Sequence, residues 1–158
     1  MKIQAGEFEL IPFKDIDEVQ YYELAHDQMV KKYVPYAYPI DRKAAKEIAQ
    51  VYSNGDSKND FYLLIRDKQN FIGMIIAVRT TAKVLDTSAF LIPEYRNKGI
   101  MTIVMQAFIK WLSENTAYEE LIMLIEKNNI ASNIQIKKIG GVFQSLYKNN
   151  YVYKVFLK

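Results

Sequence analysis

The chain has 158 residues, half of them hydrophobic, which suffices for one domain with a sizeable core. Its formal net charge of +3 is spread without a long basic run, so the composition disfavours nucleic acid and suits a modest anionic ligand. The lack of cysteine and the single histidine exclude disulfides, thiol nucleophiles, zinc–thiolate sites and histidine-cluster metal centres.

The first residues, 1–7, lack the apolar core of a signal peptide, and no apolar run is long enough to span a bilayer. No internal repeat, low-complexity segment or long Pro/Gly/Ser-rich linker divides the chain. We therefore expect a cytoplasmic protein without a membrane partner, folded as one domain over residues 1–158.

Hydrophobic periodicity divides the chain into strands and helices. Alternating or short continuous apolar runs predict strands, and apolar residues spaced three and four apart predict helices. In chain order these are a strand at about 7–12, a helix from about Asp15 to the region of 27–32, a helix from Asp41 to about Tyr52, strands at 61–66, 71–78 and 83–92, a helix from Gly99 onward, a strand at 120–126, a helix at 129–139, and strands at 142–147 and 151–156. The predicted order is β-α-α-β-β-β-α-β-α-β-β.

Several boundaries have a specific chemical signal. Pro35 and Pro39 stop the first helix, and residues 53–56 end the second. The polar turn at 67–70 is short enough for an antiparallel hairpin. The strand at 120–126 is apolar between two acids, so we expect it to be covered on both faces.

A short basic loop joins the strand at 83–92 to the most regular predicted helix. A helix start leaves its first N–H groups without intrahelical partners and carries a partial positive charge, so it can hold an anion. Arg96 and Lys98 add full charges beside it, and Gly99 permits a close backbone approach or a positive φ. The loop therefore predicts a phosphate site.

Two stretches lie at strand-to-helix junctions of the predicted order: residues 93–100 (Pro-Glu-Tyr-Arg-Asn-Lys-Gly-Ile), and residues 129–132 (Asn-Ile-Ala-Ser) with 137–143. The first resembles the cofactor loop, Arg/Gln-x-x-Gly-x-Gly/Ala, of the GNAT superfamily of acyl-CoA N-acyltransferases. The second is similar to a segment and helix end in the branch of that superfamily that includes ribosomal-protein N-terminal acetyltransferases, and the order of elements resembles the superfamily over nearly the whole chain. The resemblance implies an α/β (α+β) fold with a mixed, mostly antiparallel central sheet of about seven strands, flanked by about four helices.

The resemblance also implies a reaction. It would be transfer of an acetyl group from acetyl-CoA to a primary amine by direct attack in a ternary complex, without a metal. The acceptor would be a protein N-terminus, a polyamine, or a small aminated metabolite or antibiotic, and the enzyme a monomer or homodimer. Two alternatives are a non-catalytic acyl-CoA-binding sensor or regulatory domain, and an interaction domain without a cofactor.

The resemblance assigns the cofactor to three segments. Backbone of the strand end would pair with pantetheine, the loop amides would hold the pyrophosphate, and the later Asn-x-x-Ser segment would contact pantetheine. The expected residues are Phe90, Leu91, Ile92, Arg96, Asn97, Lys98, Gly99, Ile100, Met101, Asn129 and Ser132. Met101 departs from the motif's usual Gly or Ala, which affects how closely the pyrophosphate approaches. A simple N-cap is the alternative role for Asn129.

Asp86 is the candidate general base, because it lies inside the strand that leads to the cofactor loop. A carboxylate in a largely apolar run is costly to bury unless it is paired or reached by water, and burial would help tune it as a base acting through water. A carboxylate on the solvent side of the strand, or in a structural ion pair, remains the alternative.

The candidate proton donor is less specific. Many relatives carry a tyrosine seven residues after the Asn of the later motif, but that position is Ile136 here. Ser132 or Tyr147 would then protonate the leaving thiolate, with Tyr151, Tyr153 and solvent as further possibilities. The tyrosines are also ordinary strand-packing residues.

Tyr33 and Tyr36 are candidate acceptor-binding residues, because residues 33–38 fall in the variable region of the superfamily that often forms the acceptor pocket. Their rings could hold an amine by cation–π contact. The alternative is that they pack under a proline-stiffened loop. His26 is expected to be an ordinary surface or packing residue.

Overall fold

The computed structural model describes residues 1–14, 16–55 and 59–158. In chain order the elements are β1 (Ile3–Ala5), β2 (Phe8–Pro12), α1 (Glu18–Ala25), α2 (Gln28–Tyr33), α3 (Arg42–Ser53), β3 (Phe61–Asp67), β4 (Asn70–Thr81), β5 (Val84–Leu91), α4 (Ile100–Asn115), β6 (Glu120–Glu126), α5 (Ile130–Lys138), β7 (Val142–Tyr147) and β8 (Asn150–Phe156). Short 3-10 turns occupy Pro35–Ala37 and Pro93–Tyr95. Asp15 and Asp56, at two predicted helix boundaries, lie outside the described residues.

The predicted fold class is confirmed, with one strand and one helix more than expected. Strand β1 was missed because three residues are too few to show a period, and it pairs with β2 across a tight turn in which Gly6 has a φ of 61°. The first predicted helix is two helices, because Asp27 accepts the N–H groups of Met29 and Val30 and so starts α2.

Local side-chain chemistry explains other helix ends. Asp17 caps α1 in a reciprocal pair with Gln20, whose N–H donates to the Asp17 carboxylate at 2.8 Å. Asp41 caps α3 as predicted by accepting the N–H of Ala44 at 2.8 Å. Helix α5 stops just before Gly140, which has a φ of 92°.

The sheet has the order β1-β2-β3-β4-β5-β6-β8-β7, and every neighbouring pair is antiparallel except β5 and β6. That parallel pair is short: it begins with Val84 opposite Glu120 and ends with Asp86 opposite Ile122. Beyond Asp86 the two strands separate, while β5 remains paired with β4 as far as Leu91. The sheet therefore opens as a V between β5 and β6.

Hydrophobic clusters cover the two sides of the sheet differently. One contains α4, and the other contains α1 to α3 and takes its strand residues from β2 to β5. Strand β6 lies beyond this second cluster, and Leu124 on it is 40% exposed. The expectation that this strand is covered on both faces is therefore wrong. No helix in the described part of the chain is long and apolar enough to cross a membrane.

Candidate active site

A cleft of about 780 Å³ fills the V between β5 and β6. Its walls come from α2, the second half of β5, the loop before α4, the first turn of α4, the end of β6, and α5. Because β5 and β6 stop pairing after Asp86, the facing edges of these strands are free to pair with a ligand. The cleft is therefore an opening in the sheet itself.

The loop before α4 forms one end of this cleft. Gly99 precedes the helix with a φ of 77°, and it supplies no side-chain cap. The first helical hydrogen bond from this end runs from Ile103 N–H to Gly99 O at 3.3 Å, which leaves the N–H groups of residues 100–102 for a ligand. A Cβ added to Gly99 would meet no atom of residues 1–14, 16–55 or 59–158 within 4 Å, so the space before the helix is open to these residues.

The Met101 side chain packs against the hydrophobic core. The departure from the family motif at this position is thus accommodated inside the protein, because a phosphate contact at the helix start is made by the backbone N–H. Met101 also lines the cleft.

The two cations of the loop differ in their surroundings. Arg96 is half-buried, and its guanidinium donates to Asp27 Oδ2 at 2.6 Å and to the Leu91 carbonyl at 2.9 Å. Lys98 is exposed, with its Nζ 5.7 Å from the ring centre of Tyr95. Arg96 is therefore turned toward the protein, and Lys98 toward solvent.

Asp86 lies at the apex of the V. Its side chain is exposed, yet the atoms around it desolvate the carboxyl group and raise its pKa, while the Thr87 backbone N–H partly offsets this effect. Among the described residues it has no ion-pair partner. Of the alternatives, the structural ion pair is therefore not seen there, whereas the exposed side chain matches a carboxylate on the solvent side of the strand, which water can reach. Asp86 is not among the residues that line the large cleft.

The Tyr36 side chain lies near Asp86 and Ser88, on the α1–α3 side of the sheet. It is 56% exposed, but neighbouring atoms desolvate its hydroxyl and raise its pKa; the Asp86 charge raises that pKa further, whereas a hydrogen bond with Ser88 opposes the rise. A groove of about 200 Å³ adjoins it, lined by Tyr36, Glu47, Ile48, Val51 and Tyr52. Tyr33 instead lines the large cleft.

Asn129 and Ser132 line the cleft at the start of α5. The Asn129 side chain accepts the Ser132 N–H at 3.4 Å, so the N-cap role is present beside any contact with a ligand. Ile136 is buried in the wall of the same cleft. Tyr147 lies at the end of β7, is 53% exposed and does not line the cleft. Of the two candidate proton donors, Ser132 and Tyr147, Ser132 is therefore the one that lines the cleft.

Two further residues were missed by sequence reasoning. Thr87 is 2% exposed, and its hydroxyl has no hydrogen-bond partner among the residues that the structure describes; the same holds for one buried carboxylate oxygen of Glu126. Both line the cleft, and buried polar atoms without partners suit a site that holds a polar ligand or water. The only sequence signal for Thr87 was its position next to Asp86.

Comparison with known proteins agrees with this geometry. A model of the Acetyltransferase (GNAT) domain matches residues 7–142. YnaD of Bacillus subtilis strain 168, described as an uncharacterized N-acetyltransferase, is 27% identical over 140 residues, covering 86% of this chain and 78% of that protein.

Solved structures share the fold. A GNAT-family acetyltransferase from Bacillus anthracis has a TM-score of 0.84 at 18% identity, with 99% of both chains covered. RimL, a ribosomal-protein alpha-N-acetyltransferase in complex with coenzyme A, has a TM-score of 0.78 at 14% identity, with 99% of this chain and 98% of that chain covered. GNAT acetyltransferases use acetyl-CoA, and the open helix start and unpaired strand edges fit it. With a domain match over residues 7–142, the chain belongs to the GNAT family of acetyltransferases.

Proposed function

We propose that this protein transfers an acetyl group from acetyl-CoA to a primary amine, with donor and acceptor bound at the same time. One observation carries the proposal: the exposed Asp86 stands at the last residue pair of β5 and β6, next to Thr87 and Ser88 of the large cleft and near Tyr36 of the second groove, although Asp86 itself is in neither lining. A base at this junction can reach an amine from one side and a donor from the other.

Different segments of the cleft would bind different parts of acetyl-CoA. The N–H groups at the start of α4 would bind the phosphates, and Asn129 and Ser132 would line the path of pantetheine. The edge of β5 beyond Asp86 would pair with pantetheine, although the Leu91 carbonyl already accepts from Arg96 and the Ile92 N–H donates to Ile72 O. Acetyl-CoA, when bound, supplies an acetyl group activated as a thioester. Asn97 and Lys98 would stay at the solvent end of the loop, where Lys98 adds a positive charge.

Asp86 would accept the proton that the amine loses. Its raised pKa makes it a better proton acceptor than an ordinary carboxylate, and its exposure permits transfer through a water molecule. Tyr36 and Ser88 would hold the amine side by hydrogen bonding and by the face of the phenol ring. On the cleft side, Ser132 would hold a proton for the leaving group, with Tyr147 or solvent as the other candidates.

The acceptor class follows from the family and the groove together. A protein N-terminus, a polyamine, or a small aminated metabolite or antibiotic all present the primary amine that this site requires. RimL, which shares the fold, acts on a ribosomal protein, so peptides belong in any test. We further propose that residues 1–158 form one cytoplasmic domain, monomeric or homodimeric, that requires no metal, nucleic acid or membrane.

The second candidate function is an acyl-CoA sensor without catalysis. It is favoured by Ile136, an apolar side chain that is buried in the cleft wall. Many relatives carry at this position the tyrosine that would donate a proton to the leaving thiolate. A non-catalytic sensor would bind the donor and release no thiol.

The test combines thermal unfolding with thiol release. Acetyl-CoA at 100 times its Kd should stabilise the native state by about 2.7 kcal/mol. Thiol release is then measured over an amine panel of peptides, polyamines and aminated antibiotics. Stabilisation with turnover supports the enzyme, stabilisation without turnover on any amine supports the sensor, and no stabilisation by acetyl-CoA, CoA or longer acyl-CoAs refutes both.

A further inference from the structure

Asp27 connects three segments that form the cleft. Its carboxylate accepts the N–H groups of Met29 and Val30 at 3.0 and 3.3 Å, and it pairs with Arg96 at 2.6 Å. Arg96 also donates to the Leu91 carbonyl at 2.9 Å. The start of α2, the end of β5 and the loop before α4 are therefore joined by two side chains 69 positions apart in sequence.

This pair is partly withdrawn from water. The Arg96 and Asp27 side chains are only 25% and 18% exposed, so solvent and salt screen their attraction less than that of a surface pair. Burial by itself would raise the Asp27 pKa, but the hydrogen bond and charge of Arg96, with the Val30 and Met29 N–H groups, outweigh it and lower that pKa. Asp27 is thus ionised at neutral pH and held by several donors.

We propose that Asp27 is a positioning residue for coenzyme A: it holds the Arg96 guanidinium so that the loop before α4 keeps its phosphate-binding geometry against α2. The inference rests on the proposed function, because the site it concerns is the donor cleft. Met29 and Val30, the residues that Asp27 caps, line that same cleft. The Asp27–Arg96 pair therefore holds two walls of the cleft in place, α2 and the loop before α4.

The proposal predicts the sign of a charge effect. Removing the Asp27 charge makes the cleft more positive, so simple electrostatics predicts tighter binding of the polyanionic coenzyme A. Loss of the link instead lets the loop and α2 move apart, which weakens binding. A variant that is more positive and yet binds coenzyme A less tightly therefore indicates lost positioning and not the change in charge.

The variant is Asp27→Asn, since asparagine is as good an N-cap as aspartate but cannot form the ion pair. Its control is Asp41→Asn, which makes the same change at the cap of α3, where the carboxylate accepts the Ala44 N–H. We expect Asp27→Asn to raise the Kd for CoA, measured by calorimetry, about tenfold, and Asp41→Asn to leave it unchanged.

A second variant tests the partner. Arg96→Lys keeps the charge but cannot donate in two directions from a planar group, so it should weaken CoA binding as well. In the Arg96→Lys background, Asp27→Asn should add little further loss, because the link is already broken. Equal or tighter CoA binding by Asp27→Asn overturns the proposal. If the wild-type protein itself binds no CoA, the proposed function fails, and this inference fails with it.

Discussion

The pKa of Asp86 depends on the atoms immediately around its carboxyl group. The residue stands at the last parallel pair of β5 and β6, where its carboxyl is desolvated on one side and open to water on the other. A general base works best when its pKa approaches the working pH, so desolvation moves Asp86 in the useful direction. Its ordinary value would leave it a weak proton acceptor.

Replacing Asp86 with Asn should remove the base while leaving the donor cleft intact. The group must be deprotonated to act, so wild-type kcat/KM should rise with pH through a pKa above the ordinary 3.8. Asp86→Asn should lower kcat by about 100-fold or more and abolish that acid limb. The control is Glu119→Gln, an exposed carboxylate paired with Lys83. An unchanged pH–rate profile in Asp86→Asn would remove this residue from the mechanism.

The ion pair of Asp27 with Arg96 should make the free energy of unfolding depend on pH. The pKa of Asp27 is lowered in the folded state, so its ionised form stabilises that state above the unfolded-state pKa, about 3.9. This contribution is lost as the pH falls through the lowered folded-state value. Wild type should therefore exceed Asp27→Asn in free energy of unfolding at pH 6, with the difference shrinking toward pH 3. Urea unfolding at pH 6 and pH 3 measures this difference in free energy of unfolding. If the difference is the same at both pH values, the Asp27 pKa is not lowered in the folded state.

At the scale of elements, the start of α4 depends on backbone conformation rather than on a side-chain cap. Helices α1, α2 and α3 each begin with an aspartate that accepts backbone N–H groups, whereas α4 begins after Gly99 and keeps its first N–H groups free. A side-chain cap there would compete with a ligand for the same donors. The difference separates these three capped helix starts from the uncapped start of α4, which we propose binds phosphate.

Gly99→Ala and Gly140→Ala form a matched pair for this difference. Both glycines have a positive φ, 77° and 92°, and an added Cβ at either would meet nothing within 4 Å. Each substitution should therefore cost about 1–2 kcal/mol of stability from backbone strain alone. Only Gly99→Ala should also weaken CoA binding, because Gly99 itself lines the cleft beside the open start of α4, whereas Gly140 follows the cleft residues Lys138 and Ile139 without lining the cleft itself. Equal CoA affinity in the two variants would argue against the loop as the phosphate site.

At the scale of the whole molecule, the site exists because β5 leaves β6 while staying paired with β4. Gly73 on β4 allows this close pairing: a Cβ there would lie 2.3 Å from the Phe90 carbonyl and 2.9 Å from the Leu91 side chain. Both of those residues line the cleft. The position of this cleft wall therefore depends on the contact between β5 and β4, on the edge of β5 that faces away from the cleft.

Gly73→Ala should therefore affect both stability and binding. Moving β5 to relieve the clash should cost about 1–3 kcal/mol in free energy of unfolding, measured by urea denaturation. The displaced wall should also raise the Kd for CoA. Gly55→Ala is the control, since its added Cβ would also clash, 2.5 Å from the Tyr62 ring, but at residues that do not line the cleft. A Gly73→Ala protein with wild-type stability and CoA affinity would show that β5 absorbs the extra atom without moving.

The sequence alone determined most of the elements and predicted the phosphate loop, because their signals are local. Alternation and helical spacing identified every strand except β1, and Asp41 and Gly140 marked helix ends through bonds or dihedral angles within a few residues. The family resemblance rested on contiguous motifs and supplied the fold and the donor. Boundaries such as that at Asp27 were missed, since a capping aspartate inside a helical pattern is a weak signal.

Only the tertiary structure decided which distant groups meet. It paired Arg96 with Asp27, put Tyr36 beside Asp86 while leaving Tyr33 in the large cleft, and buried the Thr87 hydroxyl without a partner in the described part of the chain. Each of these depends on strand register and on how helices pack across the sheet, which join residues far apart in the chain. Desolvation and ion pairing act through space, so the pKa values and the free edges of the cleft follow from the folded arrangement and not from neighbours in sequence.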